Sequence, residues 1–449
     1  FGFYYLEERT HLINAIRVQA IEKSKEVAQQ IKNQNLFFDG TIEKPTEYSM
    51  DDISITKANY IREGKSFIFA DLRSMKLNLF ENGVATATVP ILTKGREGSW
   101  WETPTGDYEV LIKNSNHFSS IGKVWMPWSI QFYGNFFIHG WPYYDNGDPV
   151  TKTYSGGCIR LSTDDAKKVY EFASRGMPIL VKDSDEEAQK QFTLLDSKDL
   201  PLPQLSSESY IVADLSSGNV LLSKDSENLL PIASITKLMS AVVASELIYL
   251  ERKVIISPAM LKDNFQSYEF YSGDQFSAFE LFYPMLMQSS NGASEAIASI
   301  SGRNTFIANM NSKARSLGMT STRFADASGV AEENLSTAKD LIKLANYILE
   351  KRNFIFSITK GQSFDFWGPV RFNNLKNYNE FASSTSLIGM KNGETLAAKE
   401  TMLSIWNLKD NQNINHKIAI VILASESRFD DAQKLINWTL ENYNFNKEE

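Results

Sequence analysis

Among 449 residues there is one cysteine, Cys158, and there are four histidines. The cysteine lies in Tyr154-Ser155-Gly156-Gly157-Cys158-Ile159-Arg160-Leu161, and one histidine in Ile138-His139-Gly140. A thiol becomes a strong nucleophile as its thiolate, and a nearby imidazole can take its proton. Glycines beside a nucleophile leave backbone N–H groups unobstructed, and such donors can hold an oxyanion, a large term in acyl transfer. Arg160 follows two positions on. In an extended segment its side chain shares a face with Cys158, where it could hold a carboxylate through paired hydrogen bonds. Taken singly, a cysteine is more often a small buried hydrophobe, and a histidine after a strand is more often structural. The combination points to acyl transfer.

A second set uses a hydroxyl. Ser234-Ile235-Thr236-Lys237 places a serine and a lysine at (i, i+3), on one face of a helix. The lysine can serve as base if burial or neighbouring charge lowers its pKa. The same letters occur at Ser54-Ile55-Thr56-Lys57, followed by Ala58-Asn59-Tyr60-Ile61-Arg62-Glu63-Gly64, which is too polar and short for a buried helix. The Ser234 copy instead runs from Leu230-Pro231-Ile232-Ala233 into Leu238-Met239-Ser240-Ala241-Val242-Val243-Ala244. That apolar stretch suits a domain centre, so Ser234 is the candidate and Ser54 is not. Ser289-Ser290-Asn291 and Lys391-Asn392-Gly393 follow in order.

The cysteine set resembles the signature of YkuD-type L,D-transpeptidases: His-Gly, a spacer, then Ser-x-Gly-Cys-(apolar)-Arg. The likeness spans roughly residues 65–182, with Phe69-Ala70-Asp71-Leu72, Thr103-Pro104-Thr105-Gly106 and Met126 through Gly140. It departs at Gly156, where many members have histidine. The resemblance implies Cys158 as nucleophile and His139 as its base, with the Gly140 carbonyl orienting the imidazole. It further implies that the Gly157 and Cys158 N–H groups hold the oxyanion, and that Arg160, with Ser155, positions substrate. Ser-x-x-Lys, Ser-x-Asn and Lys-Thr/Ser-Gly together mark penicillin-binding proteins and serine β-lactamases. The text around them most resembles low-molecular-mass D-alanyl-D-alanine carboxypeptidases over residues 207–445, including Met310-Asn311, Leu317-Gly318-Met319, Phe324, Ser328-Gly329, Ser336-Thr337-Ala338-Lys339-Asp340-Leu341 and Arg428-Phe429-Asp430-Asp431-Ala432. Here the resemblance implies Ser234 as nucleophile, Lys237 as general base and Ser289 as proton relay. Asn291 would contact the substrate amide and Lys391 anchor its carboxylate, beside Asn392 and Gly393. Asn392 departs from the family's Thr or Ser; its amide can donate, with different geometry.

These residues need elements to hold them. From Ser66 to Lys182 the pattern is β: strands at Ser66–Leu72, Lys76–Leu79, Val84–Leu92, Asp107–Ile112, Trp128–Phe132 and Asn135–His139, with Glu81-Asn82-Gly83 as a hairpin turn. A helix fits 162–174, capped by Ser162 or Thr163. Beyond Pro201-Leu202-Pro203, Ser209–Asp214 and Asn219–Ser223 read as a hairpin. Helices follow at 234–250, 277–288, 291–300, 304–317 and 337–350, then strands at Thr401–Asn407 and Lys417–Ala424 and a helix at 429–442. Lys391-Asn392-Gly393 reads as preceding a turn. The expected architecture is multidomain, a mainly-β L,D-transpeptidase domain followed by an α/β penicillin-binding-like domain, with an N-terminal helix. The expected divisions are a juxtamembrane-type helix over 1–33, an unplaced lead-in over 34–65, catalytic domains over 66–183 and 207–449, and a linker over 184–206.

Composition fits packed cores: 43% hydrophobic, 12% aromatic and 22% charged residues. The net charge is −8 with no clustered Lys and Arg, so no nucleic-acid partner is expected. One cysteine excludes a disulfide framework and a multi-thiolate zinc site. With no His-Glu-x-x-His and no phosphate-binding loop, neither metal nor cofactor is expected. Phe1-Gly2-Phe3-Tyr4-Tyr5 before a charged helix reads as the outer end of a signal anchor, the alternative being an ordinary helix. The resemblances imply an extracytoplasmic enzyme whose partners are peptidoglycan stem peptides. Carbapenems (at Cys158) and penicillins (at Ser234) would be covalent inhibitors. The rival readings are a peptidoglycan hydrolase in which water resolves the Cys158 acyl-enzyme, an active cysteine site joined to a serine domain retained only as a wall-binding scaffold, and a non-catalytic wall-binding or β-lactam-sensing module.

Overall fold

The computed structural model describes residues 42–43, 46–47, 52–152, 154–183, 197–261, 270–366, 371–372 and 375–445. The helix predicted over 1–33 and residues 184–196 of the predicted linker lie outside them.

The β-rich unit is two sheets closed on one core. The five-stranded sheet runs in the order Val84–Pro90, Lys76–Glu81, Phe67–Asp71, Pro178–Lys182, Gly106–Glu109. The four-stranded sheet runs Ile159–Arg160, Phe136–His139, Val124–Tyr133, Ile112–Ser119. Ile68, Leu77, Ile130, Phe132, Ile138, Ile159 and Val181 fill the space between them. The Glu81-Asn82-Gly83 turn forms as its sequence requires: Asn82 and Gly83 have φ of 51° and 79°, and a Cβ at Gly83 would lie 2.5 Å from the Ile61 carbonyl oxygen. The helix Thr163–Phe172 is capped by Ser162, whose Oγ accepts from the Asp165 N–H at 3.0 Å.

One strand expected to be continuous is not. Asp107–Ile112 divides into Gly106–Glu109 and Ile112–Ser119, which belong to different sheets. The crossing is at Val110 and Leu111, whose N–H groups donate to Met177 and Gln131 respectively. The apolar pattern runs on across the corner because Val110 is buried there. The Ser54 copy of Ser-x-x-Lys falls on a surface helix, Asp52–Arg62. Ser54 Oγ accepts from Lys182 Nζ at 2.6 Å, and Lys57 Nζ lies over the Phe69 ring at 4.1 Å. Serine and lysine are thus engaged separately.

The α/β unit is built on an antiparallel sheet ordered Asn219–Lys224, Ser209–Asp214, Asn415–Ser425, Lys399–Lys409, Leu387–Thr395. The first and last strands of this stretch of sequence, Ser209–Asp214 and Asn415–Ser425, are neighbours in it. Lys391-Asn392-Gly393 lies in the strand Leu387–Thr395, and the turn expected after it joins that strand to Lys399–Lys409. Alternation divides the sheet's faces. Ile211, Ala213, Leu403 and Val421 face the helical side, while Tyr210, Val212, Met402 and Ile420 face the helix Arg428–Asn442. The helix Thr236–Leu247 is buried on all sides through Glu246, as an apolar helix at a domain centre must be. The outer edge of Asn219–Lys224 is covered by two short segments from far upstream, Ile42–Glu43 and Thr46–Glu47. Covering an edge removes its unpaired backbone groups from misuse.

The two units meet across buried charge. Glu246 accepts from Tyr347 and pairs with Lys313 at 3.2 Å and Arg352 at 3.0 Å, all three charged side chains being inaccessible to solvent. Lys313 also donates to Tyr108 Oη of the β-rich unit at 3.1 Å. Burial pushes the Lys313 pKa down to about 8, with Glu246 opposing. Beside this cluster Lys351 bridges Glu102 and Asp183, each at 2.7 Å. Gly134 is a contact point, since a Cβ there would fall 2.0 Å from Leu247 Cδ2. Glu246→Ala should therefore destabilise the protein by about 3–5 kcal/mol, the cost of leaving buried cations unpaired. Urea unfolding checks this, and a loss below about 1 kcal/mol would show that water relieves the charge.

Candidate active sites

Cys158 ends a loop and leads into the edge strand Ile159–Arg160. That strand pairs in parallel with Phe136–His139, placing Arg160 opposite His139. Cysteine and histidine thereby line one cavity of about 400 Å³, together with His117, Asn135, Ser155 and Arg160. His139 Nδ1 lies 2.6 Å from the Gly140 carbonyl oxygen. A carbonyl only accepts, so Nδ1 carries the proton and Nε2 of the neutral ring is left as the basic nitrogen. Burial drives the imidazole pKa down to about 3, against the Gly140 hydrogen bond. Burial also drives the thiol up to about 11, despite the nearby Arg160 charge. In the cavity they share, burial thus disfavours the charged form of both the thiol and the imidazole. The half-buried sulfur has its hydrogen-bond contact at the Asn135 carbonyl, 3.7 Å away.

The loop before the cysteine is held from three sides. Ser155 Oγ donates to the Cys158 carbonyl at 2.5 Å and accepts from the Gly157 N–H at 3.1 Å. Thr103 Oγ1 donates to the Gly157 carbonyl and accepts from the Gly95 N–H, both at 2.9 Å. Gly157 has φ of 106°, and a Cβ there would lie 2.3 Å from the Phe136 ring; only glycine fits. The Gly157 N–H, expected to face an oxyanion, is thus spent on Ser155. The Cys158 N–H meets no acceptor among the described residues. Arg160 is largely used internally: Nη1 donates to the Lys152 and Tyr154 carbonyls at 3.2 Å each, and the guanidinium lies over Trp141.

Ser234 lies in a 3₁₀ turn, Ala233–Ile235, leading into the helix Thr236–Leu247. Ala233 has φ of 47°, backbone strain at the residue before the hydroxyl. Lys237 Nζ reaches Ser234 Oγ at 2.8 Å, Asn291 Oδ1 at 2.7 Å and the Ser328 carbonyl at 2.5 Å. Its side chain is fully buried, and burial, with the Lys391 charge second, holds its pKa well below the usual lysine value. Nζ thus faces three oxygens at once, one of them the Ser234 hydroxyl. Asn291, Asp326 and Ser328 line an adjacent cavity of about 460 Å³.

The strand Leu387–Thr395 passes directly beside the nucleophile, since a Cβ at Gly393 would lie 2.6 Å from the Ser234 nitrogen. Lys391 is fully buried, and its Nζ donates to the Asn392 carbonyl at 2.7 Å and Oδ1 at 3.2 Å. Burial and the Arg428 charge push its pKa down to about 7. The Asn392 amide is not free to donate as expected: Nδ2 gives its hydrogens to the Tyr378 carbonyl at 3.0 Å and Glu380 Oε2 at 2.8 Å. Ser289 is not drawn into the network either. It is half-buried at a left-handed φ of 58° and meets no hydrogen-bond partner among the described residues.

Several contributors carry little sequence signal. Thr103 read as punctuation in Thr103-Pro104-Thr105-Gly106. Asp326 accepts from the Ser328, Gly329 and Ala331 N–H groups at 2.8, 2.5 and 2.6 Å and so presents the Ser328 carbonyl; Ser328-Gly329 was the only clue to it. Glu380 has no motif at all.

Residues 196–425 match the family model described as D-alanyl-D-alanine carboxypeptidase, and residues 65–181 match that of the L,D-transpeptidase catalytic domain. The D-alanyl-D-alanine endopeptidase of Pseudomonas aeruginosa is 37% identical over 155 residues, covering 32% of this chain and 48% of that protein. The D-alanyl-D-alanine endopeptidase of Escherichia coli K12 is 30% identical over 253 residues, 53% of this chain and 78% of its own length. This chain thus spans about half the length of the first relative and over three quarters of the second. A solved D-alanyl-D-alanine carboxypeptidase from Mycobacterium tuberculosis H37Rv has 26% identity and a TM-score of 0.48, covering 55% of this chain and 96% of that one.

Proposed function

Because the chain belongs to the D-alanyl-D-alanine carboxypeptidase family and also carries an L,D-transpeptidase catalytic domain, we propose that it is a bifunctional peptidoglycan enzyme with two working acyl-transfer sites. The observation that carries this reading is geometric: Cys158 and His139 line one cavity, and Lys237 Nζ lies 2.8 Å from Ser234 Oγ.

At the first site Cys158 Sγ attacks the carbonyl of the third stem residue as its proton passes to His139 Nε2. The carbon–sulfur bond forms, the amide C–N bond breaks, and terminal D-alanine leaves with that proton. An amine of a neighbouring stem then displaces the thiol, closing a cross-link. The oxyanion is held by the Cys158 N–H. At the second site Ser234 Oγ attacks the carbonyl of the penultimate D-alanine while Lys237 takes its proton and passes it to the departing amine. Water hydrolyses the resulting ester. Asn291 holds Lys237, and contacts the substrate amide from the same position. The relay role of Ser289 requires its hydroxyl to turn toward the substrate. Carbapenems at Cys158 and penicillins at Ser234 would form the corresponding stable acyl-enzymes.

Removing one D-alanine from a pentapeptide yields the tetrapeptide donor that the cysteine site consumes, and fusion raises its local concentration. Such substrates place the enzyme outside the cytoplasmic membrane. No helix among the described residues is long and apolar enough to cross a membrane. Incubation with defined pentapeptide and tetrapeptide muropeptides, followed by mass spectrometry, tests the scheme. The intact chain should cross-link pentapeptide material, and Ser234→Ala should require tetrapeptide. Cross-linking of pentapeptide that ignores Ser234 would remove the coupling.

A further inference from the structure

The loop that presents Cys158 is gripped on two flanks, and both grips lead to one lysine of the serine unit. On one flank the Ser155 N–H donates to the Lys94 carbonyl at 3.1 Å. On the other, Thr103 Oγ1 donates to the Gly157 carbonyl at 2.9 Å, and it also accepts from the Gly95 N–H at 2.9 Å, which ties the flanks together. The packing leaves no clearance. A Cβ at Gly95 would lie 2.9 Å from Gly157 Cα, and one at Gly157 would lie 2.9 Å from the Trp101 carbonyl oxygen. A displacement of residues 94–103 therefore passes to Gly157 and to the nucleophile after it, since close-packed backbone cannot absorb it.

Both flanks are anchored across the boundary between the units. Glu102 precedes Thr103; its carboxylate accepts from Lys351 Nζ at 2.7 Å, and its carbonyl accepts from Arg352 Nη2 at 3.1 Å. Lys94 Nζ reaches both oxygens of Asp183 at 3.0 Å, and Asp183 Oδ2 accepts from Lys351 Nζ at 2.7 Å. Lys351 ends the serine-unit helix Ala338–Lys351. The side chains of Lys351, Glu102 and Asp183 are 6%, 2% and 7% exposed, so water is poorly placed to replace a lost partner. Trp100 adds an apolar tie, packing against the core of the serine unit while meeting Trp101 edge-on at 4.8 Å.

We infer that Lys351 is a positioning residue for the cysteine site: acting through Glu102 and Asp183, it fixes both flanks of the loop that presents Cys158, so that this site is competent only with the serine unit docked against it. The inference rests on the reading of Cys158 as nucleophile and deepens it. The serine unit then contributes to cross-linking twice, once by its own chemistry and once as the mount of the other nucleophile.

The test uses the full chain and follows two labels in one preparation: a carbapenem adduct at Cys158, located by peptide mass, and a fluorescent penicillin at Ser234. Lys351→Met, a neutral side chain of similar length, should lower the maximal rate of carbapenem acylation at Cys158 by about 10–100-fold, the scale on which small displacements of a reacting group act. The half-saturating carbapenem concentration should stay within about threefold, because the cavity remains while the nucleophile shifts. Penicillin labelling of Ser234 should keep its wild-type rate. Glu102→Gln keeps the side chain's size and removes its charge; it should act in the same direction by at least about threefold, and it decides the matter if Lys351→Met fails to fold. Cys158 acylation at the wild-type rate in both variants, or a parallel loss at Cys158 and Ser234 in Glu102→Gln, would overturn the role of Lys351. A wild-type chain that forms no carbapenem adduct at Cys158 removes the cysteine nucleophile and this inference with it, whereas a normal wild-type adduct with unchanged variants removes Lys351 alone.

Discussion

Cys158→Ala should leave the β-rich unit without any carbapenem adduct in intact-mass spectra, and abolish cross-linking from tetrapeptide donors, while penicillin still labels Ser234. The expected effect is complete because no other cysteine exists to substitute. The route to reaction is set by burial. With the thiol near 11 and the imidazole near 3, neither group is charged at neutral pH, and the sulfur is not a standing thiolate. Attack must accompany proton transfer to His139, so His139→Ala should slow acylation by roughly 10²–10⁴-fold. The sign of the thiol shift gives a second readout. A raised pKa keeps the sulfur protonated as pH rises, so alkylation of Cys158 by iodoacetamide should climb through pH 8–10 and level off only near 11. A plateau at neutral pH would show a preformed thiolate–imidazolium pair instead.

Lys237→Ala should lower the second-order rate of penicillin acylation at Ser234 by roughly 10²–10⁴-fold, the usual worth of a positioned general base. Lys237→Arg should do no better, although it keeps a long basic side chain. A guanidinium stays protonated even when buried and offers no lone pair. The Lys237 contacts at 2.7 and 2.5 Å to Asn291 Oδ1 and the Ser328 carbonyl are what orient the amine, and the fall should appear in the acylation rate with the fold intact by circular dichroism. If Lys237→Arg keeps near wild-type labelling, Lys237 is an electrostatic partner and not the base.

Much of this was legible because catalytic chemistry restricts residue types. Ser234 and Lys237 were read from spacing plus the apolar run behind them, and the structure puts them in contact. The rejection of Ser54 rested on polarity, and its surface helix agrees. Both family resemblances are matched over nearly the residues that carried them. What escaped reading depends on partners distant in sequence. Gly157 looked like a free N–H donor; its hydrogen bond to Ser155 is a property of the loop's path. Lys391-Asn392-Gly393 reads as the approach to a turn, and the chain does turn between Thr395 and Lys399; the close approach of its glycine to Ser234, within the strand Leu387–Thr395, has no local signal. Glu380 and Glu246 are single acids among many, and no periodicity marks which of them meets an arginine.

The pairing of Ile42–Glu43 and Thr46–Glu47 with Asn219–Lys224 orders events on the ribosome. These residues emerge first, yet the strand they bind is synthesised only after the whole cysteine unit has been made. Two-residue segments cannot persist alone, so this seam closes late, after the intervening unit has had time to fold as a closed lobe. Once closed, it ties the chain on both flanks of that lobe to a single sheet, and a protease cut between the lobes would nick the molecule without freeing either half.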